Sequence, residues 1–373
     1  MENVGVDNVS QSTPLASAPQ FENAWIDRHI WYHATPEEVP TTEAAVELIS
    51  HLARHDIDVT TMPGLSADDD PDYVAAVMER AGRRGIVVLP DVSAGMFAVR
   101  GAAGFGADER FGILSQWFEK GARGVDLGTE EVSDGDADGG GRIADRGGSA
   151  DGELAVGGES ADSGGHVHAG WDVRELQAWV KFTDDDAVLS INFRGPSFDA
   201  VADHALDDYF DVVRFEVASA PQLDAANYSQ QALASFQMFR AGGTLPSWNA
   251  TWEVLDRIPG RLSRSALLLA TCYMPGMIHF EKDVQLQSPS TRHALRFRES
   301  LGMYKANILI DTAKVDDGFV FLANDHVTML LNFGPHPYEI PNDGRVLVSS
   351  MIALPENGPN LVVPPGEAAW IWR

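Results

Sequence analysis

Between about residues 24 and 305, short apolar or β-branched runs alternate with longer stretches whose apolar residues recur every three or four positions. The short runs fit strands buried on both faces, and the longer ones fit amphipathic helices. Strands are expected at 30–34, 58–62, 86–91, 124–127, 188–193, 212–216, 247–250 and 277–280. Helices are expected between them at 42–54, 71–84, 110–120, 173–182, 229–240, 263–271 and 292–304. In the second helix Val74, Val77, Met78 and Ala81 fall on one face, the stripe that would cover a sheet. Eight strands in β-then-α order predict an α/β protein built as a (β/α)8 TIM barrel over 24–305. From 306 to 373 the period changes to short alternating runs at 319–323, 327–332, 346–351 and 368–372, which predict a small C-terminal antiparallel β domain.

Two stretches lie outside this periodicity. Residues 1–23 are rich in Ser, Asn and Pro and are expected to be a disordered tail. Residues 130–168 are mostly Gly, Asp and Ser and are expected to form a loop. Inside that loop Asp134, Asp136, Asp138 and Asp145 have the spacing of a calcium loop, but no helical pattern flanks them, so they read as solvated acid. His166 and His168 are spaced like metal ligands on a strand, yet their Gly-rich setting supplies no further ligand. No metal and no cofactor is expected.

Charge narrows the classes further. Fifty-five acidic residues against 27 basic ones give a formal net charge of −28, which excludes nucleic acid as a partner on electrostatic grounds. Only five of the cations are lysines (Lys120, Lys181, Lys282, Lys305 and Lys314). An acidic, lysine-poor surface is the pattern of a halophilic protein, whose self-repulsion is screened where molar salt shortens the Debye length to about 3 Å. Cys272 is the only cysteine, so an internal disulfide and a cysteine-based metal site are both excluded. Residues 1–20 lack a basic start and an apolar stretch, and no long apolar span follows, so the expectation is a cytoplasmic chain without a membrane partner.

Four strand-centred stretches carry chemistry: RGIVVLPDVSAGM around Asp91, QWFEKGARGVDLGTEEV around Asp126 and Gly128, the run ending LSINFRG at Asn192, and LPSWNATWEVLDRIPGR around Glu253 and Val254. With SRSALLLATCYMPGMIHFEKDVQL and the ending VVPPGEAAWIW, their order and spacing resemble the α-amylase family of glycoside hydrolases, family 13 (α-glucosidase, oligo-1,6-glucosidase or trehalose synthase-like). The resemblance implies a barrel whose site lies at the C-terminal ends of the strands. It also implies that Asp91 matches a kept family aspartate, whereas Gly95 and Met96 replace the substrate-contacting Asn and His. In the fourth strand Asp126 takes the place of the supporting Arg, and Gly128 that of the nucleophile. Asn192 stands where the family has its general acid, and Glu253 and Val254 stand where it has its His–Asp pair. Trp248, Arg257 and Arg261 match at the right spacing.

These losses bear directly on chemistry. Retaining glycosidases need two carboxyl groups about 5–5.5 Å apart, one to attack the anomeric carbon and one to protonate the leaving oxygen. Glycine cannot attack and an amide is no general acid. Asp91 is expected either to accept a sugar hydroxyl or to cap its own strand end. Asp126 should point into the barrel and pair with a buried arginine such as Arg194 or Arg214. Glu130, Glu131 and Glu253 are the acids that a rebuilt site would draw upon near the mouth, and Trp252 and Arg257 are substrate-binding candidates beside Asp91. The stretch between Asp91 and Asp108 is too short and too rich in Gly and Ala for the small domain the family inserts there, so an open cleft is expected.

The expected function is therefore an α-amylase-like protein of carbohydrate metabolism without glycosidase activity, binding an α-glucoside or oligosaccharide or partnering an active family relative. The alternative is an active hydrolase or transglycosylase on α-glucosides with relocated carboxylates. A purely structural subunit is the third reading.

Overall fold

The computed structural model describes residues 12–15, 30–65, 70–93, 107–131, 167–168, 171–194, 209–214, 223–242, 247–249, 262–281, 283–311 and 313–373. Eight parallel strands form one sheet: β1 (Ile30–His33), β2 (Val59–Pro63), β3 (Val87–Asp91), β4 (Gly124–Glu131), β5 (Val188–Arg194), β6 (Val212–Arg214), β7 (Ser247–Asn249) and β8 (Met277–Phe280). Their order is β7-β8-β1-β2-β3-β4-β5-β6, and the two end strands lie side by side, so the sheet curls into a nearly closed barrel. Parallel neighbours need a crossover between them, and described helices supply it everywhere except between β5 and β6, where residues 195–208 lie outside the described set.

Those helices are α1 (Thr42–Leu52), α2 (Tyr73–Arg84), α3 (Ala107–Glu119), α4 (Val173–Thr183), α5 (Ala225–Gly242), α6 (Arg264–Tyr273), α7 (Asp283–Gln287) and α8 (Pro289–Ser300). Sequence sets several of their ends. Thr41 caps α1 by accepting from the Ala44 amide, Asp172 caps α4 by accepting from the Arg174 and Glu175 amides, and Ser263 caps α6 through the Ala266 amide. Helix α2 stops at Gly85, whose left-handed backbone closes the last turn. On α2 the buried residues are Tyr73, Val77 and Ala81, one every four positions, with Val74 and Met78 packed beside them.

The strands show a two-layer interior. Trp31, Val59, Leu89, Val188, Val212 and Met277 pack together as an apolar floor inside the barrel. Two residues further along each strand the same face continues, because side chains alternate with period two. There it turns polar: His33, Thr61, Asp91, Asp126, Ser190, Arg214 and His279. Outward-facing Tyr32, Val88, Leu189, Val213 and Ile278 join the helices in the main core.

The chain after the barrel forms antiparallel strands β9 (Ile308–Asp311), β10 (Phe319–Ala323), β11 (Val327–Asn332), β12 (Tyr338–Pro341), β13 (Val346–Ser349), β14 (Glu356–Asn357), β15 (Asn360–Val363) and β16 (Ala368–Trp372). Strands β9, β10, β11, β16 and β13 make a sheet, and β12, β15 and β14 a smaller one. Within the 1–23 segment, Ser12–Leu15 is a strand paired antiparallel with β9, which gives part of the expected tail a place at this sheet's edge. No helix among the described residues is long and apolar enough to cross a membrane.

Candidate functional site

The C-terminal ends of the barrel strands bring together most of the described residues that the motifs single out. At the centre is Asp126, fully buried on β4. Its Oδ1 accepts from the Gly128 amide at 2.8 Å and from Arg214 Nη2 at 3.1 Å, and its Oδ2 lies 3.1 Å from Arg214 Nη1. Arg214 Nη2 also donates to the Gly128 carbonyl at 2.7 Å. Of the two arginines expected as partners, Arg214 holds the carboxylate, because β6 points it across the barrel at the level where β4 delivers Asp126. Arg214 thus hydrogen-bonds Oδ1 and faces Oδ2 at ion-pair distance without a hydrogen bond, so burial of the two charges is compensated by one hydrogen bond and their mutual attraction.

Gly128, at the position matching the family nucleophile, is a backbone feature. Asp126 pairs in register with Ser190 on β5 and Thr129 with Asn192, so β4 uses three residues where β5 uses two. This bulge falls at Leu127 and Gly128, and Gly128 carries φ +73°. A Cβ there would sit 2.6 Å from the Ser93 Cβ and 3.6 Å from Asp91 Oδ1. The position excludes a side chain twice over, by conformation and by space.

Asp91 ends β3 beside Asp126 in the sheet register. Its Oδ1 accepts from the Ser93 amide at 2.8 Å. Burial, and then the neighbouring Asp126 carboxylate, push its pKa up to about 7, against the opposing pull of the Ser93 contacts and Arg214. Near neutral pH this carboxyl is poised to donate or to accept. Asn192, which the sequence resemblance would align with a general acid, is fully buried and donates from Nδ2 to Thr129 Oγ1 at 3.1 Å.

A second polar line crosses the barrel from β6 to β7, and the motifs gave no hint of it. Arg214 Nη1 lies 2.5 Å from His33 Nδ1. His33 Nε2 lies 2.8 Å from His279 Nδ1, and His279 Nε2 lies 2.5 Å from Ser247 Oγ. Both imidazoles have pKa values well below the usual histidine range, first through burial and then through the Arg214 charge. Arg214 Nη1 also lies 2.9 Å from His33 Nε2; an arginine can only donate, so the His33 nitrogen that takes its hydrogen bond accepts, and the low pKa values keep both imidazoles neutral. At the rim, Asn249 Nδ2 donates to Glu281 Oε1 at 3.0 Å. His33, Ser247, Asn249, His279 and Glu281 are site residues that the motif comparison missed. For His33, His279 and Glu281 the signal was positional, two or four residues beyond inward-facing Trp31 or Met277.

Glu130 is partly buried at the end of β4. Trp248, matched by the family pattern, is fully buried and packs outward against Phe236 and Phe239, with its indole N–H donating to the Pro275 carbonyl at 2.6 Å. Cys272 is buried, and burial pushes its thiol up to about 12, which keeps it un-ionised and unreactive. Gly95, Met96, Trp252, Glu253, Val254, Arg257, Arg261, the acidic run from Asp134 to Asp145 and His166 lie outside the described residues, as do the side chains of Glu131 and His168. Among the described residues, no three His, Cys, Asp or Glu side chains are grouped to hold a metal ion.

The nearly closed (β/α)8 barrel with its polar residues at the C-terminal strand ends, followed by an antiparallel β domain, resembles the fold of solved glycoside hydrolases. A solved family GH13_31 enzyme superposes over 94% of this chain and 99% of its own, with a TM-score of 0.56 and 11% sequence identity. A glycoside hydrolase family 5 protein from Bacteroides vulgatus superposes over 92% of this chain and 88% of its own, with a TM-score of 0.50 and 8% identity. At these identities the likeness is one of fold. No protein-family profile matches the sequence, and no curated protein matches it.

Proposed function

We propose that this chain is a divergent α-amylase-family protein of carbohydrate metabolism that has given up retaining glycoside hydrolysis and acts as a sugar-binding or partner subunit. The observation that carries this reading is the bulge at Gly128. A nucleophile cannot be delivered from a left-handed glycine with Ser93 packed over it, and the flanking carboxylate, Asp126, is committed to Arg214. The ligand in this reading is an α-glucoside or oligosaccharide at the barrel mouth, with Asp91 the contact candidate there; Trp252 and Arg257 are candidates from the sequence alone. The partner is an active relative of the same family. The decisive experiment is an α-glucosidase and transglycosylase assay at about 3 M KCl, where surface charge is screened. No turnover above blank is the expected result, and turnover abolished by Glu253→Gln or Asp126→Asn overturns it.

One observation favours a second reading, in which catalysis is rebuilt on other carboxyls. Asp91, with a pKa of about 7, has the protonation balance of a general acid–base group at neutral pH. Under that reading, activity is present, is lost in Asp91→Asn, and follows a pH profile with a limb near 7.

A further inference from the structure

The larger sheet of the C-terminal domain does not close on itself, so it has two edges. An edge strand presents a row of N–H and C=O groups with which another chain can pair. At one end β13 shifts register against β16 between Val346 and Val348, an irregularity of the kind that turns an edge away from a neighbour. At the other end β9 is regular. Its inner side holds Leu309, Ile310 and Asp311 opposite Ala323, Leu322 and Phe321 of β10. Its outer side is taken by Ser12–Leu15, with Ser12 opposite Asp311 and Leu15 opposite Ile308.

The covered strand and its cover differ as templates. β9 runs Ile308, Leu309, Ile310, Asp311, and across 306–313 (ANILIDTA) Asp311 is the single charge in a chain whose net charge is −28. An apolar, β-prone run of low charge is the kind that pairs with its own copies. The cover is four residues long and contains Pro14, which has no N–H and is tolerated in a sheet on an edge strand with its nitrogen toward solvent. Donors alternate along an antiparallel strand, so these four residues supply few hydrogen bonds. A good template is thus hidden behind a poor and weakly held one.

We infer that the β9 edge is a self-association surface of this chain, guarded by residues 12–15, and that the partner it takes when they leave is β9 of a second copy. Charge selects that partner. Copies of so acidic a chain repel over most of their surface, whereas here each brings one carboxylate. Two-fold antiparallel pairing of 308–311 with itself sets Ile308 opposite Asp311, which places the two carboxylates at opposite ends of the ladder. The surface belongs to the C-terminal sheet and owes nothing to the barrel mouth.

The test uses the full chain at about 3 M KCl, where screening lets like-charged copies approach. Thr13→Pro with Leu15→Pro leaves Ser12 as the one N–H donor between 12 and 15 and releases the strand. Light scattering reads mass and hydrogen exchange reads the outward amides of 308–311, both over a range of protein concentration. A melting curve checks folding, and Thr13→Pro alone takes the place of the pair if the pair does not fold. The expected result is a mass that climbs to that of a dimer with concentration in the released variant and not in wild type. The outward amides of 308–311 then exchange fast in the dilute variant and slowly in the concentrated one. Adding Leu309→Lys, a charge on the edge, returns the variant to a monomer. A released variant that stays monomeric at every concentration overturns the inference. Association that leaves 308–311 unprotected, or that survives Leu309→Lys, overturns it too, because the copies then meet elsewhere. Dilute wild type whose 308–311 amides exchange as fast as the variant's shows that residues 12–15 guard nothing.

Discussion

Arg214 on β6 meets Asp126 on β4 across the barrel, donating from Nη2 to Oδ1 at 3.1 Å with Nη1 3.1 Å from Oδ2, and both side chains are almost wholly out of water. The same guanidinium touches His33 and the Gly128 carbonyl, so one cation ties β1, β4 and β6. Such a pair contributes little against an apolar replacement of both members, yet removal of one member strands a buried charge. Arg214→Leu should therefore cost about 3–5 kcal/mol of stability, read from urea denaturation, and Arg214→Leu with Asp126→Leu should recover most of it. A single-variant loss well below this range would mean that Asp126 finds another partner.

Placing a carboxylate at Gly128, where the family resemblance puts a nucleophile, should not create activity. Gly128→Asp imposes a left-handed backbone on a β-carbon, about 1–2 kcal/mol, and drives that carbon into Ser93. A lower melting temperature and no gain of glycosidase activity are expected. Ser93→Gly in the same chain should relieve the steric part and leave the backbone part.

The pH dependence of stability should carry the mark of Asp91. Its folded pKa of about 7 lies above its value in an unfolded chain. Between about pH 4, the free carboxyl value, and pH 7 the native state therefore binds more protons than the unfolded state, and stability falls as pH rises. Asp91→Asn removes this dependence while keeping an acceptor for the Ser93 amide. The variant should match wild type near pH 4 and exceed it in melting temperature at pH 8. A constant difference across that range would count against the assignment.

The acidic surface predicts salt dependence. With a net charge of −28, raising KCl from about 0.1 M to 3 M shortens the screening length from about 10 Å to below 3 Å. The melting temperature should rise by several degrees or more, and equal values in the two buffers would remove the halophilic reading.

Much of this architecture was readable from periodicity. The eighth strand appears at 277–280 as expected, the sixth and seventh begin at 212 and 247 as expected, and the first, second, third and fifth differ by one residue at one or both ends, because strand ends depend on pairing with neighbours rather than on local pattern. The fourth strand runs further than expected, to Glu131, because its bulge lets it keep pairing with β5 beyond Gly128. The Asp126–Arg214 pair was legible in part, since a buried acid demands a cation and few were in reach. The bulge itself was not, for an ungapped reading of GVDLGTEE has no means to show three residues facing two. Nor was the histidine pair: His33 and His279 stand 246 positions apart and meet only because β8 closes against β1. Ser12–Leu15 gave no strand signal of its own, as its pairing comes from the exposed edge of β9.

Helix α6 is buried on nearly every side, with Ala266, Leu267, Leu268, Leu269, Ala270, Cys272 and Tyr273 all out of solvent. Tyr273 donates to the Val327 carbonyl at 2.6 Å and sets its ring edge against Trp370, while the capping Ser263 also donates to Glu367 at 2.9 Å. A single helix thus lends one side to the barrel and the other to the C-terminal sheet. Neither body has an outer skin of its own along this seam, so a barrel cut off before β9 would present a greasy scar where Trp370 had been. The two bodies should melt in one cooperative step rather than as separable modules.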